Sequence, residues 1–253
     1  MRLTLSAALA AVLAALPAAA LAASIGAPDL ALQAAHSAHF VLRHRPEVGP
    51  AEAAAALGVL EEGLSLICGE LGLTLEAPVE VLILPPSSFR ALTRSAAWVR
   101  GAYDGRILLS VADGSFERGA SSLRPLLLHE LTHAVVRRSI DAALPPWFEE
   151  GLAERFEGNA PDAAAAWLRQ RRAPAFAGLD AIDADIRAGG WREDAGHQRA
   201  RLALQALEKS SGAAALARIM AALRSGRTPA QALDEVVPGG VAAFEALLRT
   251  PVP

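Results

Sequence analysis

The chain has 253 residues, of which 53% are hydrophobic and 20% charged, with a formal net charge of −3. This balance excludes a disordered chain, which would be apolar-poor and strongly charged, and the mild acidity offers no electrostatic footprint for nucleic acid. Cys68 is the single cysteine, so a disulfide scaffold is excluded too, and roughly 150 residues per domain leaves room for one large domain or two small ones.

Residues 1–23 read as an export signal. Met1-Arg2 gives a short positive start, Leu3 to Leu16 is apolar and uncharged, and Pro17 breaks the run. Ala20-Leu21-Ala22 then supplies the small residues of a cleavage site. A transmembrane anchor is the alternative, but the run falls short of the ~20 residues needed to span. The expected product is secreted or periplasmic, has no stable membrane span, and consists of one domain over 24–253. Its lone thiol cannot form an internal disulfide; Cys68, preceded by Leu66 and Ile67, reads as a small buried hydrophobe on a helix.

Phe40 and Leu42 alternate within residues 39–45, which predicts a strand closed by Pro46 and Pro50. Leu57, Leu60, Leu64, Ile67 and Leu71 recur at helical spacing, which predicts a helix over 51–71. The apolar run Val79–Leu84 lies between prolines and reads as a buried strand, followed by a short helix over 87–95. Tyr103-Asp104-Gly105-Arg106 is a tight turn into a strand over 107–111, expected at or near a sheet edge. From Ser121 onward the patterns are helical. Strands first and helices afterwards predict an α+β fold, a small mixed sheet followed by a helical C-terminal half, with a helical subdomain from about residue 160.

The chemistry lies on the helix expected to start near Ser121 or Ser122, either of which can cap it, with Pro125 in its first turn. His129 and His133 are four residues apart, so both imidazoles project from one face. Their rise of about 6 Å lets two ring nitrogens close on one ion. Glu130 follows the first histidine and can act as a general base beside that ion. This is H-E-x-x-H, the signature of zinc hydrolases. Two histidines that are simply satisfied in a core helix are the alternative, but Leu126, Leu127, Leu128, Val135 and Val136 make the helix apolar, where unpartnered polar groups are costly. A second helix runs from Pro146 to Glu157 and stops at Gly158-Asn159.

His129-Glu130-x-x-His133 followed by Trp147-Phe148-Glu149-Glu150-Gly151-Leu152-Ala153 resembles the gluzincin metallopeptidases. The likeness is strongest to the secreted peptidase-MA-like domains and extends to aminopeptidase N-like enzymes. It spans roughly residues 38–225 and implies a zincin-like fold with bound Zn²⁺. It makes Glu150, the residue before the glycine, the third ligand beside His129 and His133. Sixteen residues separate His133 from Glu150, fewer than in the larger aminopeptidases. Glu157 matches a further acidic position that would orient a ligand histidine, or else is a solvated helix-end carboxylate. The family's edge strand, along which extended peptide lies, maps onto Ile107, Leu108, Leu109, Ser110 and Val111. The oxyanion donor, a Tyr or His from a later helix, maps onto His197, expected to open a helix over 199–209; Tyr103 is the other candidate. A surface histidine at a helix start is the competing reading of His197.

The implied partner is a peptide or protein substrate. Two further classes stay open: a zincin-like binding or scaffold protein of the cell envelope without turnover, and a structural protein whose histidines are core residues.

Overall fold

The computed structural model describes residues 31–112, 120–174, 176 and 178–249. The expected export signal, residues 1–23, lies outside them. Five strands, β1 (Gln33–His36), β2 (Phe40–His44), β3 (Val79–Leu84), β4 (Gly101–Tyr103) and β5 (Ile107–Ser110), form one sheet in the order β1-β2-β3-β5-β4. The two inner pairings, β2–β3 and β3–β5, are parallel; the flanking ones, β1–β2 and β4–β5, are antiparallel. The molecule is a mixed α+β fold, as expected.

The inner strands β3 and β5 are buried on both faces, and the period of two divides their side chains between them. Val79, Val81, Ile83, Ile107 and Leu109 enter the main core, whereas Leu82, Leu84 and Leu108 meet Phe89 beneath α2 (Pro86–Thr93). On the main side lies α1 (Pro50–Leu71), whose stripe Ala53, Ala56, Leu57, Leu60, Leu64, Ile67 and Leu71 is buried. Each such leucine contributes roughly 1.5–3 kcal/mol of burial.

Residues 107–110 lie next to the sheet edge, within the expected placement, but strand pairing corrects the edge-strand role that the resemblance gave residues 107–111. β5 is not an edge: Val81 to Leu84 of β3 pair with Ile107 to Ser110 on one side, and Gly101 to Tyr103 of β4 pair with Leu109 to Ile107 on the other. The backbone of Val111 donates to Leu84 O at 2.9 Å. A strand that is apolar on both faces gains by having neighbours along both sides. The Asp104-Gly105 turn folds β4 back over it, with the Asp104 carboxylate accepting from the Arg106 N–H at 3.1 Å. Among the described residues the edge on this side is β4, so Ile107, Leu108, Leu109, Ser110 and Val111 do not offer a free backbone to a peptide.

The helical half begins with a short 3-10 turn (Ala120–Leu123) and α3 (Arg124–Ser139). Leu123, not a serine, sits at the N-cap without a side-chain cap, and Pro125 lies in the first turn. There follow α4 (Pro146–Glu157), α5 (Pro161–Gln170), α6 (Leu179–Ala188), α7 (Trp191–Ser211), α8 (Ala215–Arg224), α9 (Pro229–Val236) and α10 (Gly240–Arg249). α7 starts eight residues before the expected 199, because Gly196 packs directly against Ile186 of α6 and extends the helix backward. His197 therefore sits in its second turn.

α4 and α7 approach closely. A Cβ on Gly151 would lie 2.8 Å from Ala200 O, so only glycine lets the helices meet at this point. The backbone N–H of Trp147 donates to Asp183 Oδ1 at 2.7 Å and fixes the start of α4 against α6. One cluster of buried residues runs from Phe40 to Phe244, so sheet, α3 and C-terminal helices share a core. Cys68 is half-buried against it, and burial pushes its thiol up. Arg171 lies over the Trp167 ring, 3.8 Å from its centre, as a helix-end contact. Among the described residues no helix is long and apolar enough to cross a membrane.

Candidate metal centre

α3 carries His129 and His133 on one face, one turn apart, and α4 carries Glu150 opposite them. His129 Nε2 and His133 Nε2 both stand 3.5 Å from the same atom, Glu150 Oε2. At that separation neither contact is a good hydrogen bond, and Glu150 Oε2 is buried without a hydrogen-bond partner. A buried acceptor left unmade costs about 1–3 kcal/mol.

Both imidazoles are held from behind. His129 Nδ1 donates to Glu157 Oε2 at 2.9 Å, and His133 Nδ1 donates to Glu149 Oε1 at 3.0 Å. Glu149 is in turn held by the Arg137 guanidinium. With each Nδ1 engaged by a carboxylate, each Nε2 is left to face Glu150. His197 of α7 completes the group, its Nδ1 donating to Glu154 Oε1 at 3.0 Å and standing 3.7 Å from Glu150 Oε2. Its ring stacks on that of His129, 5.9 Å between centres and 6° from parallel.

Charge and burial compete throughout this cluster. Burial raises the Glu150 carboxyl, but the His133 charge and the two facing imidazoles more than reverse this and hold it well below the usual carboxylate range. Burial lowers His133, yet the charge of Glu150 and the bond to Glu149 push it up to about 9. Glu130 goes the other way: burial raises it, only partly opposed by the charges on His129 and His133.

The separation of each histidine from Glu150 fits a shared small divalent ion. Two donors each about 2.0–2.2 Å from one ion at a tetrahedral angle stand roughly 3.4 Å apart, which matches the observed 3.5 Å. Two imidazole nitrogens and one carboxylate oxygen, each histidine backed by a carboxylate, are the ligand types and outer partners of a catalytic zinc site. The groups whose donor atoms all lie within 4.8 Å of one another are His129, Glu150 and His197, and His129, Glu154 and Glu157; His133 meets Glu150 but belongs to neither group.

The cluster floors a cleft of about 360 Å³ walled by β4 on one side and the start of α7 on the other. Glu130 is buried and turns its carboxylate onto β4: a Cβ on Gly101 would lie 2.1 Å from Glu130 Oε1. Glycine at this position leaves room for the carboxylate against the edge strand, and any side chain there would displace it. The edge strand is itself pinned to α3. Arg138 donates to the Tyr103 hydroxyl at 3.1 Å and to Gly105 O at 3.0 Å, so Tyr103 has its hydroxyl tied to Arg138 rather than free for the cleft.

The structure thus gathers His129, Glu130, His133, Glu150, Glu157 and His197 about one cleft and leaves 107–111 out. The sequence reading missed Gly101, Arg137, Glu149, Glu154 and Asn159. Glu154 carried a readable signal: Glu150, Glu154 and Glu157 stand at i, i+4 and i+7 of one helix face. Compared with known proteins, the chain matches no family model and no curated protein.

Proposed function

We propose that the chain is an exported zinc metallopeptidase with a zincin-like fold of the gluzincin type. The observation that carries this reading is the convergence of His129 Nε2 and His133 Nε2 on one buried, unpartnered oxygen of Glu150. His129, His133 and Glu150 would hold Zn²⁺. When bound, the ion supplies a Lewis acid that polarises a carbonyl and lowers the pKa of water toward 7.

The chain's own residues do the rest. Glu157 and Glu149 hold the two imidazoles with Nε2 forward. Glu130, whose carboxyl burial raises, is placed to take a proton from water and later return it to the leaving amine. His197 lines the same cleft and is placed to donate to the oxyanion of a tetrahedral intermediate. Among the described residues β4 is the sheet edge beside Glu130, where an extended peptide would pair as an added strand. The role first given to 107–111 passes on this reading to Gly101, Ala102 and Tyr103.

The test is peptide cleavage by the purified chain before and after chelation. Cleavage that stops on removal of metal and returns with one equivalent of Zn²⁺ supports the proposal. A chain that binds one equivalent and cleaves nothing across a peptide library is a binding or scaffold protein instead. A chain that binds none, and whose melting ignores chelator, has histidines that serve only the core.

A further inference from the structure

We infer that Glu154 is a positioning residue that engages Nδ1 of His197, holding the ring in the cleft and leaving Nε2 as the nitrogen free to donate, with Asn159 locking Glu154 in place. The inference rests on the peptidase reading above and adds two residues to its machinery.

Glu154 is almost fully buried, yet the proposed ligand set of His129, His133 and Glu150 does not include it. It stands one turn beyond Glu150 on α4, on the face turned to α7, where Gly151 lets the two helices meet. One carboxylate oxygen accepts from His197 Nδ1 at 3.0 Å, and the other accepts from Asn159 Nδ2. Asn159 is held by the helix end itself. Gly158 takes the left-handed conformation at φ 98°, and the Asn159 backbone N–H then returns to Glu154 O at 3.1 Å. The capping turn of α4 thus delivers a side-chain donor to the residue whose carbonyl it caps.

The consequence lies in the ring. An imidazole has two distinct nitrogens, and the bond made by one decides where the other points. With Nδ1 engaged, His197 keeps Nε2 without a protein partner among the described residues, while the ring lines the cleft parallel to His129. A free histidine would rotate about χ2 and present either nitrogen. Glutamate suits this post better than glutamine: two donors converge on it, and an amide has a single acceptor oxygen.

The experiment uses Glu154→Ala and Glu154→Gln in the full chain, alone and with His197→Ala, with three readouts. Zinc content is measured first, and one equivalent is expected in every variant. Imidazole-selective ¹⁵N spectra of the metal-free chain then report the hydrogen-bonded Nδ1–H of His197. It is expected in the wild type and lost in Glu154→Ala. Turnover is measured last. Glu154→Ala is expected to lower kcat on the order of ten- to hundred-fold with KM unchanged, Glu154→Gln to fall less, and neither to lower kcat further once His197 is alanine. An unchanged Nδ1–H signal in Glu154→Ala and Glu154→Gln overturns the inference, as does a loss of kcat that multiplies with that of His197→Ala. Should the wild type cleave nothing, the peptidase reading fails while the spectra still decide the positioning.

Discussion

Glu130→Gln is expected to bind one equivalent of zinc as tightly as the wild type and to hydrolyse peptides about 10²–10⁴-fold more slowly, the usual contribution of a positioned acid–base group. The substitution keeps the shape that Gly101 accommodates and removes only the capacity to carry a proton. It also leaves Glu149, Glu150 and Glu157, and hence the imidazole geometry, untouched. Stability provides an independent check. Burial raises the Glu130 carboxyl in the metal-free fold. A carboxyl raised on folding stabilises the fold when protonated, and that stability is lost as pH rises through its folded pKa. At neutral pH the ionised group is therefore a cost to the metal-free chain, and the glutamine variant should melt at the same temperature or higher. Peptidase assays and metal analysis on one preparation measure both arms. Turnover equal to wild type would remove Glu130 from the mechanism.

Glu150→Ala should have the opposite profile, with the metal lost first and the activity with it. An apparent zinc-binding free energy of about 10 kcal/mol or more shared among four ligand positions puts one ligand at a few kcal/mol, so zinc affinity should fall on the order of 10²-fold. Glu150 also lies within 3.7 Å of all three histidines. Its loss leaves their nitrogens facing one another without the charge that holds them up, and the metal-free fold should weaken as well. Competition with a chromophoric chelator gives the affinity. Glu149→Ala separates the neighbours, because Glu149 reaches only the rear nitrogen of His133 and Arg137. It should weaken zinc by about 10–100-fold.

Elements with their own punctuation or stripe were legible in the sequence. Val79–Leu84 sits between prolines, and α4 opens on Pro146 and stops at Gly158. The stripe from Leu57 to Leu71 needed no tertiary information to be read as helical. The elements that were missed are those held by their neighbours. β1, Gln33–His36, has no apolar alternation and exists because the backbone of β2 pairs with it. β4 is three residues long, and only the turn at Asp104-Gly105 commits it to β5. The first turns of α7, Trp191 to His197, are polar and contain a glycine; packing on Ile186 makes them helical.

The site divides along the same line. His129, Glu130 and His133 follow from spacing on one helix, and Glu150 was assigned by resemblance. Their outer partners were less accessible. Glu149 adjoins the expected ligand, and nothing local decides which of the two carboxylates turns to the front of His133 and which to the back. The approach of α4 to α3 decides that. The edge role carried over by resemblance fell one strand away for a related reason: the apolar character of Ile107, Leu108 and Leu109 is visible in the sequence, but it signals neighbours on both sides only once β4 is seen to be a strand.

Crystals of the purified protein soaked in Zn²⁺ and measured on both sides of the zinc absorption edge test the central claim most directly. The account predicts a single anomalous peak about 2.0–2.2 Å from His129 Nε2, His133 Nε2 and the Glu150 carboxylate. A peak on the far side of His129, between Glu154 and Glu157, or no ordered peak at all, would contradict it.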